Sequence, residues 1–301
     1  MNFGKRTSAA EADRIVARAL ERKVVVFDTA NAYNDGEAER ILGRALASRR
    51  GDVTIASKVG FARISGKPEG LSKAAMTRAI DATLSRLGTD YVDIYYLHVP
   101  DHATPIEETL DAMAEILRAG KARAWGVSNY ASWQILEMIH LADARKMPRP
   151  TISQVLYNVL IRELDIEYFA FAKNHGIHST IYNPLAGGLL SGRFTHAPAA
   201  PSGTRFDKNQ LYLRRYWTPA MFARVDELRA IASAEEMSLV DLSYAWVASR
   251  PGVDSIIVGP GTVEQLDAAI DGCDKVLSKD ALARIDELDR AWRGTDSHYA
   301  R

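Results

Sequence analysis

Short apolar runs rich in β-branched and aromatic residues alternate along this chain with longer segments of helical periodicity. Each run is apolar on both faces, as strands are when helices cover both sides of a parallel sheet. Seven strands are predicted, at Val24–Phe27, Val53–Ser57, Val92–Leu97, Ala122–Val127, Ile152–Leu156, His178–Tyr182 and Ser255–Val258. The alternation predicts an α/β fold built on a parallel sheet.

Capping signals mark where the intervening helices begin and end. The predicted starts are Ser8 with Glu11, Thr104 with Pro105 and Glu107, Thr218-Pro219, Ser238, Thr262 and Ser278. The predicted ends include Gly88, Gly120 and Gly176. Because no linker or low-complexity tract separates two halves, residues 1–301 are predicted to form a single domain. Within it, a long loop at about 189–218, rich in Gly, Pro and Arg, is expected to serve cofactor and substrate.

Repeated β-α units form either an open doubly wound sheet or a closed (β/α)8 barrel. No Gly-x-Gly-x-x-Gly follows a strand and no Walker motif occurs, so the phosphate-binding signature of the open folds is missing. A (β/α)8 TIM-type barrel is therefore predicted. Its eighth strand would precede Val24, where only Met1-Asn2-Phe3-Gly4 is available, so the first strand is expected to be truncated or missing.

Charge and cysteine content exclude several classes of partner. Lys plus Arg number 38 and Asp plus Glu 38, so 38 − 38 gives no net charge to attract nucleic acid or an anionic membrane. The only cysteine is Cys273, so no intrachain disulfide or multi-cysteine metal site is expected. Without an apolar signal core or a run of about 18 apolar residues, the protein is expected to be cytoplasmic.

Four polar residues stand at or just after predicted strand ends, where barrels carry their chemistry. Asp28, Lys58 and His98 each follow a strand, and Tyr33 lies in the loop after Asp28. Each also has a structural explanation as a turn cap, a solvent-reaching cation, a rim histidine or a packing ring. Taken together, they suggest a phenol made acidic by a neighbouring lysine.

The chemistry of that pairing follows from charge. A phenol has a pKa near 10, and an ammonium ~4 Å away at an effective dielectric of ~20 contributes up to about 4 kcal/mol in favour of the phenolate. Asp28 would keep Lys58 charged, and His98 would orient a carbonyl oxygen. A proton donor without a nucleophile suits a carbonyl that receives a hydride from a dinucleotide. Ser128, Asn129 and Gln154 offer partners for a carboxamide, and Tyr182 offers a flat face for a nicotinamide ring.

These residues, with their neighbours, resemble the aldo-keto reductase superfamily in order and spacing along nearly the whole chain. The matching segments are Phe27-Asp28-Thr29-Ala30 with Tyr33, Gly36-Glu37-Ala38-Glu39, Ser57-Lys58, Leu97-His98, Gly126-Val127-Ser128-Asn129, Gln154 with Tyr157-Asn158, Tyr182 to Gly188, and Val258-Gly259 with Glu264-Gln265-Leu266. Tyr182 to Leu190 and Thr204-Arg205-Phe206 are most similar to the aflatoxin-aldehyde reductase branch and its microbial relatives.

The resemblance implies an NAD(P)H-dependent reductase of aldehydes or ketones, with Tyr33 as general acid, Lys58 and Asp28 tuning it, and His98 orienting the substrate. NADPH is the expected cofactor, with NADH as the alternative. The implied cofactor-binding residues are Ser128, Asn129, Gln154, Tyr182, Leu185, Gly187, Ser191, Arg193, Arg205, Gly259 and Gln265. The sequence departs from the family pattern at two places that concern cofactor binding. Gly259-Pro260-Gly261 lacks the usual hydroxyl or basic group for a 2′-phosphate, and Ala268-Ala269 replaces an acid-Asn pair that contacts adenine.

Two other functions remain open at the level of sequence. One is a non-catalytic NADP(H)-binding regulatory subunit of the same fold, like the potassium-channel β-subunits. The other is a metal-dependent hydrolase with Asp28 and His98 as ligands, although no metal site is predicted because only two such residues stand at strand ends. The expected partner is a small carbonyl compound, apolar or aromatic if Phe194, Phe206, Tyr212, Tyr216 and Trp217 line the site. An oligomer is compatible with the sequence.

Overall fold

A computed structural model of the protein describes residues 1–196 and 199–299. They group into two compact units. The first unit comprises Met1–Val155, Ala172–Ser179 and Gly259–Leu266, and the second comprises Leu156–Phe171, Thr180–Val258 and the residues from Asp267 onward. The single domain expected over residues 1–301 stays a prediction.

All seven predicted strands are present, and no end lies more than two residues from its predicted position. The strands are β1 (Val26–Asp28), β2 (Thr54–Val59), β3 (Arg63–Ile64), β4 (Lys67–Pro68), β5 (Val92–Leu97), β6 (Ala122–Ser128), β7 (Ile152–Leu156), β8 (His178–Tyr182) and β9 (Ser255–Ile256). β3 and β4 form a short antiparallel hairpin that the sequence analysis did not predict.

Helices fill the segments between the strands. They are α1 (Ala9–Glu21), α2 (Glu37–Leu46), α3 (Lys73–Leu87), α4 (Ile106–Arg118), α5 (Ser132–Ala144), α6 (Tyr168–His175), α7 (Gln210–Tyr216), α8 (Pro219–Ala234), α9 (Leu239–Ala248), α10 (Val263–Asp274) and α11 (Lys279–Arg293). α7 and a 3₁₀ turn at Ala186–Ser191 lie within or beside the long segment expected at 189–218.

Most of the predicted helix caps are confirmed. The Ser8, Thr218, Ser238 and Ser278 side chains each accept a hydrogen bond from the backbone N–H three residues later. The predicted cap at Thr104 is wrong, because its hydroxyl donates instead to Asp101 Oδ2 at 2.7 Å. α4 consequently begins at Ile106, with Pro105 at the capping position.

The first unit carries a parallel sheet in the order β1-β2-β5-β6-β7. Its register pairs the last residue of β1, Asp28, with Ala56 in β2, and the last residue of β6, Ser128, with Gln154 in β7. Five of the six β2 residues are buried, as the doubly apolar strand pattern predicts. α1 to α5 pack successively against one another beside this sheet. In the second unit β8 pairs in parallel with β9, with Ile181 opposite Ile256.

α2 and α3 approach each other most closely at Gly43. A Cβ atom built on Gly43 would lie 2.2 Å from the backbone oxygen of Leu87, the last residue of α3. A backbone atom cannot rotate away as a side chain can, so α3 would have to move. Glycine at this position therefore sets the distance between the two helices.

We expect Gly43→Ala to lower the free energy of unfolding by about 1–2 kcal/mol, because an overpacking cost of about 2–3 kcal/mol exceeds the gain of about 1 kcal/mol in helix propensity. Urea titration followed by circular dichroism measures the change. Gly51→Ala is the control, since its Cβ would meet no atom within 4 Å. A Gly43→Ala variant as stable as Gly51→Ala would show that the helices separate at no cost.

Candidate active site

The structure places the four predicted catalytic residues at the carboxyl ends of neighbouring parallel strands in the first unit. Asp28 ends β1, Lys58 is the fifth residue of β2, and His98 directly follows β5. Tyr33 begins a 3₁₀ turn, Tyr33–Gly36, that connects β1 to α2. Parallel pairing brings these strand ends to one edge, so residues 70 positions apart in sequence become neighbours.

Lys58 is the centre of the cluster. Its side chain is fully buried, and its Nζ donates to the Asp28 carboxylate, to the Thr29 backbone oxygen at 2.9 Å and to the Tyr33 hydroxyl oxygen at 3.3 Å. Each of the three ammonium N–H groups thus has an acceptor. Burial opposes the charged form, but the Asp28 charge and Tyr33 outweigh it, so the pKa of Lys58 is raised. The side chain is therefore a cation at neutral pH.

Gln154 completes the surroundings of the carboxylate. Its Nε2 donates to Asp28 Oδ2 at 2.8 Å, and the residue is almost fully buried. Because a carboxylate only accepts, the amide nitrogen must face Asp28 and the amide oxygen must point elsewhere. Gln154 was predicted to bind the cofactor, and its contact with the Asp28 carboxylate, which joins residues 126 positions apart, was not predicted.

His98 lies beside Tyr33 as a neutral imidazole. Burial and the nearby Lys58 charge lower the pKa of His98 to about 3. The two rings meet edge to face with centroids 5.8 Å apart, and the exposed Phe61 ring lies 5.0 Å from the imidazole on another side. The buried Nδ1 of His98 has no hydrogen-bond partner among the described residues. His98 is therefore a neutral ring beside the phenol.

Ser128 and Asn129 adjoin the same strand end. The Asn129 Nδ2 donates to the His98 backbone oxygen at 2.9 Å and to Ser128 Oγ at 3.0 Å, and its backbone N–H donates to the Gln154 backbone oxygen at 3.3 Å. Asn129 has a left-handed backbone, φ 65°, which asparagine tolerates. The Ser128 hydroxyl hydrogen and the Asn129 and Gln154 side-chain oxygens form a set that suits a primary carboxamide.

Six of the predicted cofactor-binding residues lie in the second unit, at the end of β8 and in the turn and loop segments that follow it. Tyr182 ends β8, and the turn after it is held by the Gly187 N–H donating to Asn183 Oδ1 at 2.6 Å and by the Ser191 hydroxyl donating to the Gly188 oxygen at 2.7 Å. Leu185 lies within this turn. Further along, the guanidinium of Arg193 lies 4.7 Å from the Phe194 ring centroid and that of Arg205 lies 5.6 Å from that of Tyr212.

The aromatic residues of the long segment are packed together rather than exposed. Phe194, Phe206, Tyr212, Tyr216 and Trp217 are all buried, and Phe206 lies 4.8 Å from Trp217 and 5.6 Å from Phe194 between ring centroids. Their abundance in the sequence is explained by this cluster in the second unit. It therefore provides no support for an aromatic substrate.

Gly259 and Gln265 belong to the first unit, at the start of α10. The Gln265 side-chain oxygen accepts from the Gly261 N–H at 2.8 Å. Residues from the other end of the chain also hold this loop: Asn2 Nδ2 donates to the Gly259 oxygen at 2.9 Å, and Glu11 Oε1 accepts from the Val263 N–H at 3.2 Å. No local sequence signal predicts these contacts across some 250 positions.

Two carboxylates near the site, Glu69 and Glu39, make contacts that were not predicted from the sequence. Glu69 accepts from Asn31 Nδ2 at 2.8 Å and from the Gly60 N–H at 2.8 Å, which ties the loop after β1 to the hairpin segment after β2. Glu39 is fully buried against Ser57 and Arg86. The only sequence signal for Glu39 is its place in the Gly36-Glu37-Ala38-Glu39 segment that resembles the family.

Neither a metal centre nor a membrane span is found in the described part of the chain. Across residues 1–196 and 199–299, no group of three or more His, Cys, Asp or Glu side chains is placed to hold a metal ion. No helix within those ranges has the length and apolar character needed to cross a bilayer.

Comparison with known proteins identifies the family. The sequence model of the aldo/keto reductase family matches residues 1–290. This chain therefore belongs to the aldo/keto reductase family and is an oxidoreductase. The family fold is a (β/α)8 barrel, so the fold class predicted from the sequence is confirmed.

Among the proteins similar to this chain, some are named as potassium channel subunits and others as reductases. A protein of Arabidopsis thaliana described as a probable voltage-gated potassium channel subunit beta is 33% identical over 296 residues, which cover 96% of this chain and 90% of the relative. The human aflatoxin B1 aldehyde reductase member 2 is 32% identical, and the match covers 97% of this chain and 84% of the relative. The human aldo-keto reductase family 7 member A3 is 30% identical, and the match covers 97% of this chain and 92% of the relative. The predicted similarity to aflatoxin-aldehyde reductases is confirmed.

The lowered pKa of His98 predicts a pH dependence of stability. The unfolded chain takes up a proton at this residue below about 6.5, whereas the folded chain does so only as the pH nears about 3. The stability contributed by neutral His98 is thus complete above pH 6.5 and is lost progressively as the pH falls toward 3. At pH 5 the loss amounts to about 2 kcal/mol.

The comparison of wild type with His98→Gln isolates this contribution, because the other titrating groups are the same in both. We expect the free energy of unfolding, measured in urea at pH 7 and pH 5, to fall by about 2 kcal/mol more in wild type than in the variant. Equal losses in the two proteins would show that His98 is not held neutral by the fold.

Proposed function

We propose that this protein reduces an aldehyde or ketone to the alcohol, with Tyr33 donating the proton and a nicotinamide dinucleotide, NADPH in preference to NADH, as cofactor. The observation that carries the proposal is the buried Lys58 ammonium, held by Asp28 and placed 3.3 Å from the Tyr33 hydroxyl oxygen. Such a cation stabilises a phenolate in a medium where water cannot. The family and its reductase-named members support the same reaction.

The proton transfer follows from these contacts. Reduction adds a hydride to the carbonyl carbon and a proton to the carbonyl oxygen. When bound, the dinucleotide supplies the hydride. Tyr33 supplies the proton from its hydroxyl, and the resulting phenolate stays beside the Lys58 ammonium until solvent restores the proton. Asp28 balances the lysine charge throughout, so the cation needs no water to remain ionised.

His98 is proposed to orient the carbonyl oxygen. A neutral imidazole can donate one hydrogen bond to that oxygen without competing with Tyr33 as the acid, and its lowered pKa keeps it neutral across the physiological range. Phe61, about half exposed, lies against the same ring and offers an apolar surface to the substituent on the carbonyl carbon. Phe61 thus supports an apolar carbonyl substrate independently of the buried aromatic cluster.

The cofactor residues are proposed from the resemblance and from local chemistry. Ser128, Asn129 and Gln154 are proposed to hold the carboxamide, because hydroxyl and amide side chains supply the donors and acceptors that a carboxamide requires. Tyr182 is proposed to stack on the nicotinamide ring. The proposed contacts of the phosphates and the adenosine are Leu185, Gly187, Ser191, Arg193, Arg205, Gly259 and Gln265. The single cysteine, Cys273, supports a reducing compartment such as the cytoplasm.

A regulatory NADP(H)-binding subunit is the second candidate, and the relative from Arabidopsis thaliana named as a channel subunit favours it. Both functions need the cofactor, but only the reductase needs the arrangement of Lys58, Asp28 and Tyr33. Steady-state oxidation of NADPH with a panel of aldehydes distinguishes the two. Sustained turnover supports the reductase, whereas cofactor binding without turnover supports the subunit.

Tyr33→Phe tests the acid directly. We expect kcat to fall by about 10²- to 10⁴-fold while the Kd for NADPH changes little, since the hydroxyl acts in the transition state only. Lys58→Met should act in the same direction because the phenolate loses its counter-charge. Stopped-flow kinetics and cofactor titration measure the two quantities.

Tyr95→Phe is the matched control for Tyr33→Phe. Tyr95 is a fully buried tyrosine of β5 whose hydroxyl has no hydrogen-bond partner among the described residues. Its loss should leave kcat unchanged. Equal kcat values in Tyr33→Phe and Tyr95→Phe would remove Tyr33 from the mechanism.

Cofactor preference depends on arginines, because Gly259-Pro260-Gly261 offers no charged donor for a 2′-phosphate. Arg193, Arg205 and Arg215 are the proposed cations. We expect NADPH to bind more tightly than NADH at low salt. The ratio of the Kd for NADH to the Kd for NADPH should fall at least fivefold in one of the three single Arg→Met variants. Fluorescence titration gives both constants, with Arg214→Met as the control. Equal Kd values in wild type would show that the phosphate is not recognised.

A further inference from the structure

Glu39 is a fully buried carboxylate that the proposed mechanism does not use. It lies in the first turn of α2, where the helix dipole favours a negative charge. Its Oε1 accepts from the Ser57 hydroxyl at 2.6 Å, and its Oε2 accepts from Arg86 Nε at 2.6 Å. Both oxygens are therefore committed to partners on two different elements, β2 and α3.

The Ser57 contact reaches the strand that carries Lys58. Ser57 is fully buried and directly precedes Lys58 in β2. Successive side chains of a strand point to opposite faces, so Glu39 holds β2 from the helix side while Lys58 projects toward Asp28 and Tyr33. A shift of β2 along this contact would carry the Lys58 ammonium with it.

The Arg86 contact reaches the turn that carries Tyr33. A Cβ on Gly36 would lie 2.6 Å from Arg86 Cδ and Nε, so the arginine side chain packs directly on this glycine. Gly36 closes the Tyr33–Gly36 turn, in which Asn34, Asp35 and Gly36 have φ values of 53°, 51° and 83°. Three successive left-handed residues are unfavourable in isolation, and tertiary contacts must hold them.

A buried ion pair of this kind is a poor source of stability. Removing two charges from water costs about as much as their attraction returns, and apolar residues of similar size often serve as well. The pair of Glu39 and Arg86 nevertheless joins the turn of Tyr33 to the strand of Lys58. The geometry of this pair therefore fits a role in positioning the turn and the strand better than a role in stabilising the hydrophobic core.

We propose that Glu39 is a positioning residue, which sets the distance between the Tyr33 hydroxyl and the Lys58 ammonium through Ser57 on one side and Arg86 on the other. The role in turnover rests on the proposed reductase function. The titratable groups that face Tyr33 directly are Lys58 and His98, with Asp28 behind Lys58. Glu39 acts on the phenol only through the position of β2 and of the turn.

Ser57→Ala tests the proposal with little risk to folding, because it removes one hydroxyl and leaves the ion pair intact. We expect kcat to fall about 5- to 20-fold, with the KM for the carbonyl substrate and the Kd for NADPH unchanged. Ser153→Ala is the matched control: Ser153 is a fully buried serine of β7 whose hydroxyl has no hydrogen-bond partner among the described residues. Equal kcat values in the two serine variants would overturn the proposal.

A second measurement does not depend on activity. The ultraviolet difference titration of wild type against Tyr33→Phe isolates phenolate formation at Tyr33, and the same difference is taken in the Ser57→Ala background. We expect the transition to move to higher pH in Ser57→Ala and to stay in place in Ser153→Ala. An unmoved transition in Ser57→Ala would overturn the positioning role.

The two measurements separate this proposal from the reductase function. If the wild-type protein oxidises no NADPH with any carbonyl compound tested, the reductase function is refuted. The titration still tests whether Ser57 and Glu39 position Tyr33 beside Lys58. The double variant Glu39→Gln/Arg86→Met removes both charges together, so no unpaired ion is left buried. We expect it to remain folded by circular dichroism and to show the same titration shift, and an unmoved transition in this folded variant would also overturn the proposal.

Discussion

The site depends on burying one ammonium group. A lysine with no exposed surface is tolerated only when each N–H has an acceptor and its charge is balanced nearby. Lys58 meets both conditions through Asp28, the Thr29 backbone oxygen and Tyr33. These acceptors all belong to the short stretch from the end of β1 to the following turn, so the burial of Lys58 fixes how that stretch lies against β2.

The same contacts determine the electrostatics around Lys58. The Asp28 carboxylate keeps the lysine charged, and the charged lysine helps to hold His98 neutral. A single buried cation therefore lies beside both a phenol and a neutral imidazole ring. In water the same side chains would be solvated and screened, and their mutual influence would be small.

Contacts behind the site are as specific as those within it. Gln154 faces the second oxygen of Asp28, and Glu39 ties β2 to the turn of Tyr33 by way of Ser57 and Arg86. In the proposed mechanism, the distance between Tyr33 and Lys58 has to be held to a fraction of an ångström, which requires support from residues around the turn. α2 and α3, which carry Glu39 and Arg86, approach each other closely at Gly43.

The amino-acid sequence by itself determined seven of the strands, several helix boundaries and the four polar residues that meet at the strand ends, because apolar periodicity, caps and strand-end polar residues are local patterns. Only the tertiary structure decided that Gln154 faces Asp28, that Glu39 is buried against Arg86, that Asn2 and Glu11 hold the loop before α10, and that the aromatic residues of the long segment pack on one another. Those contacts join residues far apart in the chain, and a side chain's partner there depends on strand register and helix packing. Neither is encoded in any single stretch of sequence.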